Sequence, residues 1–109
     1  MKKYLWSGLL FMAAARVLAG SSEGLVTMPL SHNSGNGYFM FSAGPHINKP
    51  ACSTAGDAWA VDVSTAAGRG IQSTILAAFS MGKTLHVEGR NVCDAWGDRE
   101  TPSYVYIVN

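Results

Sequence analysis

Hydrophobic and polar positions change period several times along this chain. Leu25 to Leu30 reads as a first strand, with Pro29 marking an edge or a bulge. Ser31 to Gly37 is rich in turn residues, and its Asn36-Gly37 pair suits the positive φ angles of tight hairpins. Tyr38 to Ala43 predicts an aromatic second strand. A loop with Pro45, Asn48, Pro50, Cys52 and Gly56 follows. Ala58 to Val63 then alternates, with Trp59, Val61 and Val63 on one face and Ala58, Ala60 and Asp62 on the other. Beyond it the period becomes helical. Ser64 or Thr65 can cap a helix start, and Ala67, Ile71, Ile75, Ala78 and Phe79 make an apolar stripe. Gly68 and Gly70 weaken its first turns, and Gly82 is a natural stop. Lys83 to Glu88 alternates again, Leu85 and Val87 inward, Thr84, His86 and Glu88 outward. A polar loop from Gly89 to Pro102 carries Cys93 and Trp96, and Ser103 to Val108 is a last strand dense in β-formers.

Three strands, a helix and two strands is the element order of an OB-fold, a five-stranded, partly open Greek-key barrel. An open α+β sandwich with the helix on one sheet face has the same order, and periodicity alone does not separate the two. No internal repeat or low-complexity linker divides the region.

The chain begins differently. Lys2 and Lys3 precede an apolar run from Tyr4 to Ala15, and Val17-Leu18-Ala19 offers a cleavage site. The run is too short to span a bilayer and has the length of a signal-peptide core. The expected organisation is a signal peptide over 1–19 and an OB-like domain over 20–109. Ser21 stands where a lipoprotein would need cysteine, so the expected product is secreted or periplasmic and not lipid-anchored. Cleavage removes Lys2, Lys3 and Arg16, leaving five basic and seven acidic residues, a net charge of −2. No basic stripe remains, which disfavours nucleic acid and membrane surfaces as partners.

With 109 residues, 48% of them hydrophobic and 14% charged, the chain has room for one small domain and none for a large catalytic cleft. Cys52 and Cys93 suit a disulfide in an exported protein. Closing a loop of about 40 residues stabilises by roughly 4 kcal/mol on chain-entropy grounds. The alternative is a pair of metal-ligand thiolates. There is no CxxC, and His32, His46 and His86 keep no ligand spacing, so neither a metal nor a cofactor is expected.

Gly20-Ser21-Ser22-Glu23-Gly24 matches a nucleophile-elbow pattern but lacks the strand before and the helix after it. Gly35-Asn36-Gly37 and Gly68-Arg69-Gly70 lack the placement of a dinucleotide loop. Asp94, Asp98 and Glu100 form an acidic group that fits no calcium-loop spacing and reads as a solvated loop. Asp62 and Glu88 both take the polar face of their strands, and as a catalytic pair they would need a cleft between them. Trp96, between Asp94 and Asp98, can stack on a sugar face or fold over a Cys52–Cys93 bridge.

The order Ala51-Cys52-Ser53, Trp59, Ser64-Thr65, helix, Gly82-Lys83 and alternating strand resembles the binding subunits of subtilase-cytotoxin-type bacterial toxins, over Gly24 to about Glu88. The resemblance implies an exported OB-fold protein without enzymatic activity. It also implies assembly as a homo-oligomeric pentamer, recognition of sialylated host glycans, and a separate enzymatic subunit. In that family a Ser and an acidic residue before the first strand, with a Tyr ending the strand after the helix, hold the sugar. Ser22 and Glu23 lie near the first two positions, and Gly89 stands where the Tyr would fall. The ligand-binding candidates are therefore Ser22, Glu23 and Trp96. A small exported protein that binds another protein, with no sugar site, is the alternative function.

Overall fold

A computed structural model describes residues 18–109, and almost all of the expected signal peptide lies outside them. The described chain folds as β1 (Ser21–His32), β2 (Tyr38–Ala43), β3 (Trp59–Asp62), α1 (Ala66–Met81), β4 (Thr84–Gly89) and β5 (Pro102–Ile107). The strands form one unclosed, antiparallel sheet in the order β3-β2-β1-β4-β5. The expected order of strands and helix is present. No helix among the described residues is long and apolar enough to cross a membrane.

β1 serves both halves of the sheet. Ser21–Leu25 pair with β4, and Val26–His32 pair with β2. Within the β1–β2 pairing the register shifts between Thr27 and Leu30, and Met28 there takes a positive φ of 53°. A bulge of this kind bends and twists a strand. The strand begins four residues before Leu25, because Ser21–Gly24 pair through their backbones without an apolar alternation that would announce them. In the β1–β2 turn the left-handed positions are Gly35 (φ 58°) and Gly37 (φ 104°).

The helix is capped as its sequence suggests. Thr65 Oγ1 accepts from Gly68 N at 2.9 Å, and Gly82 stops α1 at φ 66°. Its buried stripe is Gly68, Ile75 and Ala78, with Ile71 packed alongside. Phe79 stands four residues after Ile75, only about 40° round the helix, yet it is 49% exposed and not part of the core. Gly68 does more than weaken a turn, since a Cβ there would stand 1.9 Å from Asp62 O. The glycine lets α1 approach the end of β3.

Helix and sheet enclose Val26, Phe39, Phe41, Trp59, Val61, Leu85 and Val87. Leu85 and Val87 point inward as the alternation of β4 predicts. Ala60 departs from expectation, being wholly buried on the face assigned to solvent. It pairs with buried Met40, and its N–H donates to Glu100 O at 3.2 Å, so the 90–101 segment runs beside β3. Cys52 and Cys93 are bonded, with Cα atoms 6.2 Å apart, tying that segment to the loop between β2 and β3.

Candidate functional site

Alternation on β4 sends His86 and Glu88 outward, and pairing sets what they meet. Glu23 on β1 lies opposite His86, which lies opposite Tyr106 on β5; the adjoining row is Ser21, Glu88 and Tyr104. His86 Nδ1 is 2.8 Å from Glu23 Oε1, and Nε2 is 2.7 Å from Glu88 Oε2. The imidazole stacks on Tyr106 at 4.8 Å between centroids, and Tyr106 lies 6.4 Å from Tyr104 with nearly parallel rings. Both tyrosines are about half exposed, at 49% and 52%. The face is thus an aromatic and carboxylate surface held on three hydrogen-bonded strands. Burial opposes the charge on His86, but hydrogen bonds to Glu88 and Glu23, and their charges, outweigh it and raise its pKa above 6.5.

A second histidine–carboxylate pair is wholly buried. His46 Nε2 lies 2.7 Å from Glu100 Oε1, with both side chains at 0% exposure. Glu100 Oε2 accepts from Gly20 N at 3.1 Å and Asn91 N at 2.8 Å. The His46 ring stacks on Trp59 at 3.9 Å, and Trp59 Nε1 donates to Ser22 Oγ at 3.0 Å. A carboxylate without water needs such donors. It also needs room: a Cβ on Gly20 would sit 2.1 Å, and one on Gly89 1.9 Å, from a Glu100 oxygen. Glu100 is therefore not part of a solvated loop cluster. Its neighbours explain why glycine, and no larger residue, occupies position 89.

The candidates read from sequence are divided by the fold. Glu23 is in the exposed face. Ser22 turns to the other side of β1, 4% exposed, with its hydroxyl committed to Trp59. Trp96, in the loop after β4, packs against His32 and Tyr38 at centroid distances of 4.9 and 5.3 Å, and His32 stands nine residues after Glu23 on β1. Asp94 accepts from Thr101 Oγ1 at 2.8 Å and pairs with Arg90 at 3.0 Å. The Thr101 hydrogen bond, joined by Arg90, lowers its pKa against the opposing effect of burial. Asp98 pairs with Arg99, so Asp94, Asp98 and Glu100 do not converge.

Asp62 accepts from the Ser64 hydroxyl and backbone, which lowers its pKa, while Glu88 is engaged by His86. A cavity of about 400 Å³ lies where Asp62, Gly68 and Ile71 face Arg90, Asp94 and Thr101. Glu88 is not in its lining. Gly20–Gly24 runs into a strand and not a strand-to-helix elbow. Neither His46 nor His86 has a Ser or Cys side chain as hydrogen-bond partner among the described residues. No group of three or more His, Cys, Asp or Glu among them could hold a metal ion.

Nothing in the sequence sets the tyrosines apart from packing residues, because SYVYIV reads as a strand either way. The one available signal is the i, i+2 spacing of Tyr104 and Tyr106, which puts both on one face. No known protein family matches this chain, and no curated protein or solved structure matches it significantly.

Proposed function

We propose that this chain is an exported, non-catalytic binding module that recognises glycans through the face formed by Glu23, His86, Glu88, Tyr104 and Tyr106. The observation that carries the reading is the half-exposed Tyr104–Tyr106 pair beside side chains already engaged in hydrogen bonds on a rigid sheet. Aromatic surface packs on the apolar faces of sugars, and carboxylates accept hydrogen bonds from hydroxyls. Strands hold such groups more firmly than loops do. The sheet order, with α1 between β3 and β4, supports an OB-type barrel opened between its outer strands. A parallel bridge from Trp59 to Glu100, next to that opening, supports it further. The Cys52–Cys93 bond and the leader sequence support export to an oxidising compartment. Ser22 and Trp96 have no part in this face.

Screening the mature protein on a glycan array, beside a Tyr104→Ala/Tyr106→Ala variant, tests the reading. Binding that the variant loses while its thermal unfolding stays unchanged is the expected result. Silence of the folded wild-type protein across the array removes it.

A second reading is docking to another protein or to further copies of the chain, the pentamer implied by the toxin-subunit resemblance among them. It is favoured by Leu25, Met28 and Leu30 on β1, which are 57%, 77% and 43% exposed. Exposed apolar groups grouped on one element are a feature of protein interfaces. Light scattering of wild type and Met28→Glu separates the cases: an oligomer that Met28→Glu dissociates supports it, and a monomer at all concentrations excludes self-assembly.

A further inference from the structure

The glycan reading leaves the sugar class open, and the charge arrangement of the same face narrows it. Both ring nitrogens of His86 point at carboxylate oxygens, 2.8 Å from Glu23 and 2.7 Å from Glu88. A neutral imidazole has one N–H and one lone pair, and a lone pair facing a carboxylate oxygen would be repelled. The geometry therefore calls for an imidazolium donating to both sides. Two carboxylates and one imidazolium leave the face with one net negative charge.

That charge has no other counter-ion among the described residues. Glu23 and Glu88 form ion pairs with His86 alone. Of the cations at the two ends of β4, Arg90 is held by Asp94 at 3.0 Å, and Lys83 precedes Thr84, which pairs with Leu25 outside both rows. The second oxygen of each carboxylate accepts no hydrogen bond among the described residues. Glu23 is 53% and Glu88 31% exposed at the side chain, so these oxygens are reachable. Beside them lie the rings of Tyr104 and Tyr106, whose π faces attract cations.

Resting on the glycan reading, we infer that the occupant is an amino sugar with a free amine, its ammonium bound by Glu23 and Glu88 with its ring against the tyrosines. An acidic sugar brings a carboxylate against two others and is disfavoured. A hydroxyl-only sugar satisfies hydrogen bonds but leaves the charge unmatched, and an ammonium makes the stronger, charge-assisted bond.

Calorimetric titration of the mature chain decides this. The probes are a glucosamine tetramer, its N-acetylated counterpart, sialyllactose and tetralysine, in mildly acidic buffer where amines are protonated and carboxylates ionised. The glucosamine tetramer is expected to bind at least about ten-fold more tightly than the other three, about 1.4 kcal/mol. Glu23→Gln/Glu88→Gln is expected to remove that preference. Should the double variant not fold, Glu23→Gln alone, at a half-exposed position, carries the same test. Equal or tighter binding of the N-acetylated tetramer or sialyllactose overturns the amine inference and leaves the glycan reading standing. Equal binding of tetralysine overturns it as bulk charge attraction. Persistence of the preference in the variant overturns it too. Absence of binding to all three sugars overturns the amine inference, while the glycan reading falls only if the array is silent as well.

Discussion

Two histidines of this protein lie against carboxylates at 2.7–2.8 Å, and their surroundings give them opposite work. His46 and Glu100 are sealed from water, and the carboxylate's other partners are backbone N–H groups of Gly20 and Asn91. Those donors come from the start of β1 and the segment after β4, and His46 from the loop after β2. The pair fastens three distant stretches of chain. His86 lies between two side chains on neighbouring positions of the sheet surface, with carboxylate oxygens left to solvent. Breaking a buried hydrogen-bonded pair leaves polar groups with neither a partner nor water, whereas an exposed pair is screened by water. One cluster is architecture, and the other is a surface with capacity to spare.

Replacing Glu100 should break the contrast most violently. Glu100→Ala strips the acceptor from His46, Gly20 and Asn91, and each buried donor left unpaired should cost about 1–3 kcal/mol. Urea unfolding followed by tryptophan fluorescence measures it, and a loss below 1 kcal/mol would mean that water reaches the pair. Reducing the Cys52–Cys93 bond, which holds the loop of His46 to the segment of Glu100, should cost about 4 kcal/mol. Urea midpoints with and without reductant report that loss. Next comes Ser22→Ala, which leaves the buried Trp59 N–H without its acceptor and should cost about 1–3 kcal/mol. A cost near zero in the same assay would show that another acceptor moves in.

For His86 the effect depends on pH. Because its pKa is raised in the folded state, its pairing stabilises fully below the unfolded value near 6.5. That stability disappears as pH rises through the folded pKa. The difference in melting temperature between wild type and His86→Gln should therefore shrink from mildly acidic to alkaline buffer. A difference that grows instead would contradict the pairing. Smallest in stability is Tyr106→Ala, expected to stay within about 0.5 kcal/mol because the ring is half exposed. Its consequence should appear in glycan binding alone.

The sequence was a good guide wherever one local signal decided the outcome. Thr65 and Gly82 bracket the helix because capping needs only neighbouring backbone. Leu85 and Val87 face inward, and Tyr38–Ala43 forms β2 with the expected bounds. The errors have a common source. Phe79 has helical spacing with Ile75 but stands exposed in the last turn, Ala60 is covered by a segment forty residues away, and Ser21–Gly24 joins β1 through cross-strand bonds with β4. Of the residues in the candidate face, the sequence singled out Glu23 and Glu88 and set His86 outward, without bringing the three together. The pairing of β1, β4 and β5 decides which of them meet, and nothing near Glu23 in the chain names His86 or Tyr106 as its row.

By itself, then, the sequence determined five β-segments, one helix between the third and fourth, and a pair of cysteines available to each other. Alternation, capping and turn chemistry act over a few residues and survive without knowledge of the rest. Tertiary structure alone decided that Glu100 is buried against His46, that Gly20 and Gly89 must clear space for its carboxylate, and that Glu23, His86 and Tyr106 share a row. Those outcomes depend on how segments up to 80 residues apart are brought together, and on which polar group finds donors after water is gone.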